Sequence, residues 1–375
     1  MAAFAPEIGH KEKGEGRMAC IKEVAARAGV SISTVSNVLN KTKAVSPELT
    51  RRVMIAVEEL NYRADPVAQN MKMRQSRTIG VITTDSSGLF YPYVIKGLYS
   101  VFSKSHYDII ISDSNGMIDQ FGSIQRVLDG FEHLISSRVD GIVFSSMFPE
   151  AVEESSVRQI QRTMNVAKDI PIVSAELDFT KYGIDSVYAD PIEGAVMATR
   201  HLIESGCRRL THITGPISTR VAQSRRKGFQ MTVEAAGLPF DSMKMIANGD
   251  YTHQSGYKAM RELIEQMPDL DGVFVANDQM AVGALRLLKE RGLRVPEDVK
   301  VIGYDDVFVC GVVDPPLSTI HIQKHEMGVR AAQMLLDRIQ GRVTGDPVSV
   351  RLEARLVVRK STRPDAVDDW ILVDW

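Results

Sequence analysis

Cysteine is scarce and scattered in this sequence. Cys20, Cys207 and Cys310 are its only three in 375 residues, and none forms a C-x-x-C pair. A sparse, odd set of this kind argues against a disulfide framework or a zinc ribbon and fits a reducing compartment. Long apolar runs are missing as well; none reaches the roughly 18 residues of a membrane span. GxGxxG, GxxxxGK, GxSxG and HExxH do not occur, so the usual signatures of dinucleotide, phosphate-loop, serine-hydrolase and metalloprotease chemistry are absent. His321 and His325 lie four apart beside Glu326, but they straddle an expected strand–helix boundary, and no metal or other cofactor is expected. The first residues, MAAFAPEI followed by GHKEKGEGR, lack the apolar core of a signal peptide. Residues 1–17 are expected to be a disordered extension, or an upstream start before Met18, on a cytoplasmic protein.

The composition is that of an ordinary globular chain, 44% hydrophobic and 25% charged, with length for two or three domains. Its formal net charge of −2 hides an asymmetry. Residues 18–77 hold ten Lys and Arg against five Asp and Glu, and the first 17 residues balance, so the remainder is acidic. A basic head on an acidic body suits a head that neutralises phosphates.

That head contains Ile21 to Asn40, IKEVAARAGVSISTVSNVLN. The stretch reads as two short helices joined by a tight turn. Gly29 stands where the turn needs a positive φ. Val24, Ala28, Val30, Val35 and Val38 form an apolar face at helical spacing. Ser31 is placed to cap the second helix, which leaves Ile32, Ser33, Thr34, Ser36 and Asn37 on its outer, N-terminal face. The arrangement is either a helix-turn-helix that enters a DNA major groove or a plain αα-hairpin. Ser46-Pro47-Glu48 starts a third helix, with Val53, Ile55, Ala56, Val57 and Leu60 expected on its buried face. The head is assigned to residues 18–63. Residues 64–77 form a basic linker or a short hinge helix that orders against DNA.

From Thr78 onward, apolar runs alternate with amphipathic segments. Strands are expected near Ile79–Thr83, Asp108–Ser112, Gly141–Ser145, Pro171–Ala175, Leu210–Thr214, Met243–Ala247, Gly272–Ala276, Val299–Tyr304 and Val348–Val358. Helices are expected at 91–105, 121–136, 192–205, 221–236, 252–266, 278–291 and 324–340. The alternation means an α/β fold of doubly wound parallel sheets. Gly183–Pro191 is expected to be a hinge between two lobes. The first lobe is assigned 78–189 plus 324–345, the second 190–323 plus 346–362, and 363–375 is an acidic tail with two Trp.

Ligands of open parallel sheets bind beyond the carboxyl ends of the strands. There the sequence places Phe90 and Tyr91, Tyr251, Asn277 with Asp278, Asp305 with Asp306, and the basic run Arg220, Arg225, Arg226 and Lys227. Amides, carboxylates, guanidinium groups and rings together suit a polyhydroxylated ligand. Each has a plainer role open to it: Asp278 as a helix N-cap, Asn277 as a turn residue, Asp305 paired with a lysine, Phe90 and Tyr91 in the core.

The order and spacing of IKEVAARAGVSISTVSNVLN, ELNYRADPVAQNM, IGVI, ANDQMAVGALRLLKERGLRVPEDVKVIGYDD and PPLSTI resemble the lactose-repressor/galactose-repressor family of bacterial transcription regulators, over about Ile21 to Thr362. The resemblance implies a DNA-binding head, a hinge helix and a two-lobed core similar to periplasmic sugar-binding proteins. It places Ile32, Ser33 and Asn37 at base edges and Thr34, Ser36, Asn40 and Tyr62 on phosphates. Met71 takes the position of a minor-groove wedge that is leucine in most members. Asn37 stands where members often carry Arg, so the operator sequence does not carry over with the resemblance. In the core it implies Phe90, Tyr91, Glu176, Arg225, Tyr251, Asn277 and Asp305 as ligand contacts. The expected function is a repressor that binds a pseudo-palindromic operator as a homodimer, or as a tetramer of two paired dimers, under control of a sugar or sugar derivative. A purine or a partner protein is the alternative effector. A sugar-binding protein without a regulatory role and an α/β enzyme are the competing classes, disfavoured by the basic head and the missing catalytic motifs.

Overall fold

The structure, a computed structural model, describes residues 19–40, 43–62, 76–114, 122–145, 153–166 and 170–367. The expected extension 1–17, Met71 with most of the hinge segment, and the end of the tail lie outside the described residues. The chain divides into two units, Met1–Gln75 and Ser76–Trp375.

In the first unit, α1 (Ile21–Ala28), α2 (Ile32–Asn40) and α3 (Pro47–Glu59) enclose Val24, Ala25, Ala28, Val35, Val53 and Ala56. Gly29 ends α1 at φ 60°. A Cβ there would stand 2.6 Å from Arg52 Nη2, the movable end of a long side chain, so it is the left-handed backbone that calls for glycine. Arg52 Nη2 donates to the Ala28 and Gly29 carbonyls at 2.6 and 3.3 Å. It thereby satisfies acceptors that the end of α1 leaves open. Ile55 departs from expectation: it is 47% exposed, beside exposed Met54. At 100° per residue, turning Val53 and Ala56 inward leaves the two positions between them outside.

The second unit has two lobes. In the first, β1 (Thr78–Thr83), β2 (Asp108–Asp113), β3 (Gly141–Phe144), β4 (Ile172–Glu176), β5 (Asp185–Ala189) and β11 (Ser349–Leu352) form a parallel sheet in the order β11-β5-β4-β3-β1-β2. Its helices are α4 (Tyr91–Phe102), α5 (Gly122–Ser136), α6 (Glu153–Val166) and α11 (Lys324–Ile339). In the second, β6 (Leu210–Thr214), β7 (Ile246–Asn248), β8 (Gly272–Val275) and β9 (Lys300–Ile302) are parallel in the order β7-β6-β8-β9. Helices α7 (Pro191–Glu204), α8 (Arg220–Ala235), α9 (His253–Gln266) and α10 (Asp278–Glu290) accompany them. β10 (Thr319–His321) pairs antiparallel with β12 (Arg355–Val357). The chain passes between lobes near 190, 323 and 353. At two of these crossings it is tied to itself, since Gln323 Nε2 donates to the Glu353 carbonyl at 3.0 Å.

Three expectations are corrected. Gly183–Pro191 is not merely a hinge, because Asp185–Ala189 is a sheet strand with Val187 fully buried. Its polar residues look like a loop but are all engaged. Asp185 accepts from Arg338 Nε and Nη2 at 2.7 and 2.8 Å and from the Val348 amide at 2.6 Å. Ser186 accepts from the Phe179 amide at 2.8 Å. The expected strand at Met243–Ala247 begins three residues late, since Asp241 caps a helical turn at Ser242–Met245. The strand expected at Val348–Val358 splits. Ser349–Leu352 joins β5 in the first lobe and Arg355–Val357 joins β10, so 346–362 does not all belong to the second lobe.

Candidate functional site

The head presents the outer face of α2. Ile32 is 44% exposed while Val35, one turn on, is fully buried. The Ser31 hydroxyl accepts from the Thr34 amide at 3.1 Å and lies 2.7 and 2.8 Å from the hydroxyls of Ser33 and Thr34. The cap therefore also orders two side chains of the expected DNA face. Asn40 Nδ2 donates to Ser36 Oγ at 3.3 Å, one turn further along. Tyr62 packs half-buried against the head core, and its amide donates to the Val57 carbonyl at 2.9 Å. Asn37 is also on this helix, half-buried.

Between the lobes, strand ends bring most of the other expected residues together. Glu176 ends β4, Tyr251 follows β7, and Asp305 follows β9. All three have positive φ, 96°, 70° and 108°, and Asp306 has 54°. Non-glycine residues avoid this region, and where they adopt it functional sites are over-represented. Spacing alone gives no sign of this strain.

Arg225 projects from α8 and is 6% exposed. Its Nη1 donates to the Ala276 carbonyl at the end of β8, and its Nη2 stands 3.4 Å from Asp305 Oδ1. The guanidinium lies 3.8 Å above the Tyr304 ring. Burial works against the Arg225 charge, but Asp305 and the surrounding groups outweigh it and raise its pKa. Burial likewise pushes the Asp305 carboxyl up, with Arg225 opposing. Arg225 Nε is buried without a hydrogen-bond partner. A small cavity of about 20 Å³ is lined by Phe90, Glu176, Leu177, Ala189, Pro191, Val221, Arg225, Tyr304, Ile322 and Met327. Tyr91 lies behind this wall. Its hydroxyl donates to Glu176 Oε2 at 2.9 Å, and Ser145 Oγ donates to the same oxygen at 2.6 Å. The Phe90 ring meets the Tyr91 ring edge-on at 5.2 Å.

Asn277, not Asp278, caps α10: its Oδ1 accepts from the Met280 amide at 2.9 Å. Its Nδ2 donates to the Tyr251 carbonyl at 3.1 Å, so both ends of the amide hold scaffold. Asp278 is fully buried and accepts from Thr319 Oγ1 at 2.6 Å and the Val307 amide at 3.0 Å. Of the basic run, Arg225 faces the cleft, while Arg220 reaches the Asp178 carbonyl at 3.2 Å. Arg226 and Lys227 line an open concavity on the outer side of α8. Tyr304 and Ser145 escaped the sequence reading because each continues an apolar strand pattern and carries no charge.

Comparison with known proteins places this geometry. Residues 20–65 match the family described as Bacterial regulatory proteins, lacI family, and residues 199–362 match the Periplasmic binding protein-like domain. The HTH-type transcriptional repressor PurR of Edwardsiella ictaluri (strain 93-146) is 35% identical over 351 residues, 92% of this chain and 97% of that protein. Among solved structures, a transcriptional regulator CelR–cellobiose complex is 31% identical with a TM-score of 0.65, covering 92% of this chain and 99% of that one. A lac repressor dimer bound to operator and the anti-inducer ONPF is 25% identical with a TM-score of 0.81, at the same coverage. Among the described residues no helix is long and apolar enough to cross a membrane. The chain belongs to the lacI family of bacterial regulatory proteins and is a ligand-controlled, DNA-binding transcriptional repressor, not an enzyme.

Proposed function

We propose that the controlling ligand is a sugar or sugar derivative held between the lobes by Arg225, Asp305 and Glu176. Phe90 and Tyr251 supply aromatic surface, Tyr91 steadies Glu176 from behind the wall, and Asn277 supplies an amide hydrogen. The supporting observation is Arg225: a buried guanidinium with one unpartnered nitrogen, loosely paired with a carboxylate at 3.4 Å, in the wall of a cavity. Paired hydroxyls satisfy such a group bidentately while the carboxylate accepts a third hydrogen bond. In the head, Ile32, Ser33 and Asn37 read base edges, and Thr34, Ser36, Asn40 and Tyr62 contact phosphates. Met71, outside the described residues, is the proposed wedge. One head reads half a site, so the working form is a cytoplasmic homodimer on a two-fold operator. Effector binding shifts the balance between two lobe arrangements and alters operator affinity by a coupling of about 1–3 kcal/mol.

The test is a thermal-shift screen of the purified protein against sugars, sugar phosphates and purines. A bound effector at a hundred times its Kd adds about 2.7 kcal/mol. A sugar hit that Arg225→Ala abolishes, with operator binding retained, carries the reading. A purine hit replaces it with the second reading, which the 35% identity to a protein named PurR favours.

A further inference from the structure

Lys324 is the first residue of α11 and only 1% exposed. A buried ammonium is costly unless it is compensated, and the start of a helix adds an unfavourable dipole. Its Nζ donates to three main-chain carbonyls, those of Asp305 at 2.5 Å, Asp306 at 3.1 Å and Ile322 at 3.1 Å. The first two carbonyls belong to the bend with φ of 108° and 54°. The charges of Asp305 and Asp306 also face the ammonium. From the first lobe, the Tyr93 ring lies 5.5 Å from Nζ, and the Tyr93 hydroxyl hydrogen-bonds the Phe308 main chain.

We propose that Lys324 is a positioning residue: it holds the Asp305–Asp306 bend from inside and so fixes where the Asp305 carboxylate stands relative to Arg225. Two consecutive left-handed aspartates relax unless something holds them. One cation drawing in both of their carbonyls does so, and Tyr93 braces the same loop from the other lobe. The importance of Asp305 rests on the cleft reading above; the clamp itself does not.

The experiment uses the full chain without effector and follows thiol labelling by 5,5′-dithiobis(2-nitrobenzoate), with each cysteine resolved by peptide mass. Cys310 is buried just past the bend, and Cys207 is buried in the second lobe with Sγ donating to the Asp271 carbonyl at 3.3 Å. Lys324→Met keeps the length of the side chain and removes the donors. It is expected to speed labelling of Cys310 about tenfold or more, the effect of losing charged hydrogen bonds, and to leave Cys207 unchanged. An unchanged Cys310, or equal acceleration at both thiols, overturns the proposal, since the latter reports general loosening. If Lys324→Met does not fold, Tyr93→Phe removes only the brace. It is expected to speed Cys310 selectively by roughly threefold, and no selective change overturns the proposal. Failure of the cleft reading shows separately, as a sugar panel without any thermal shift while the Cys310 selectivity stands.

Discussion

His212 shows how closely a single residue ties stability to pH. Its ring is stacked between Phe229 and Phe274 at 5.3 and 4.7 Å. Nδ1 is 2.9 Å from the Phe274 carbonyl, while Nε2 is buried without a partner. Burial pushes its pKa down to about 3. The unfolded chain therefore takes up a proton below about pH 6.5 that the folded chain refuses, and stability falls as pH falls from there toward 3. Between pH 8 and pH 5 the loss is about 2 kcal/mol. His212→Phe is expected to shrink that pH 8-to-5 difference by about the same amount in urea titrations; an unchanged difference would place the acid sensitivity elsewhere. Asp305 works in the opposite direction. Its raised carboxyl stabilises below the ordinary carboxylate range, and that contribution is lost as pH rises through its folded pKa. At this scale the sequence is informative where charge and strand end coincide, as at Asp305, or where charge falls in the helix that follows a strand, as at Arg225. It was silent on Tyr304 and Lys324, whose roles depend on what packs above and below them.

At the scale of elements, long apolar periodic stretches read correctly and polar or short ones did not. β1 and β8 are near-continuous apolar runs that a doubly covered sheet requires. β5 looks like a hinge in the sequence because Asp185 and Ser186 have the composition of one; the partners that make them a strand, Arg338 and Val348, are more than 150 residues away. α6 passed unread because EESSVRQIQRTMNV is largely polar, although Val157 and Ile160 are buried. Close helix contact is likewise invisible until the partner is known. A Cβ on Gly328 of α11 would stand 2.1 Å from the Val94 carbonyl of α4, and one on Gly97 2.1 Å from the His325 carbonyl. Gly328→Ala is expected to destabilise by roughly 1–3 kcal/mol through overpacking, despite its better helix propensity. Chemical denaturation measures this, and a neutral result would mean that the pair separates freely. Ser31→Ala removes the cap of α2 and is expected to cost the head about 1 kcal/mol. The hydroxyl chain to Ser33 and Thr34 goes with it, so operator affinity should fall more than head stability does; a proportionate fall would leave Ser31 as a cap alone.

At the scale of the whole molecule, the two units invite separation. Residues 76–375 are expected to fold, to bind the effector found by screening and to show no operator affinity in a gel-shift assay. Retained DNA binding would remove the head from its assigned role. The intact protein should lose operator affinity steeply with salt, each phosphate contact adding about −0.9 to the log–log slope, and a flat dependence would argue against the basic head as the contact surface.

The lobes invite no such separation. Because β11, residues 349–352, borders β5 in the first sheet, β5 keeps an unpaired edge until nearly all of the 375 residues have been synthesised. A ribosome producing this chain releases the strands of the first lobe early and its last strand almost at the end. The nascent protein thus carries an unpaired β edge through most of translation, the state in which growing chains aggregate. Premature termination after β5 is made but before residue 349 should therefore yield insoluble fragments, not a free-standing first lobe.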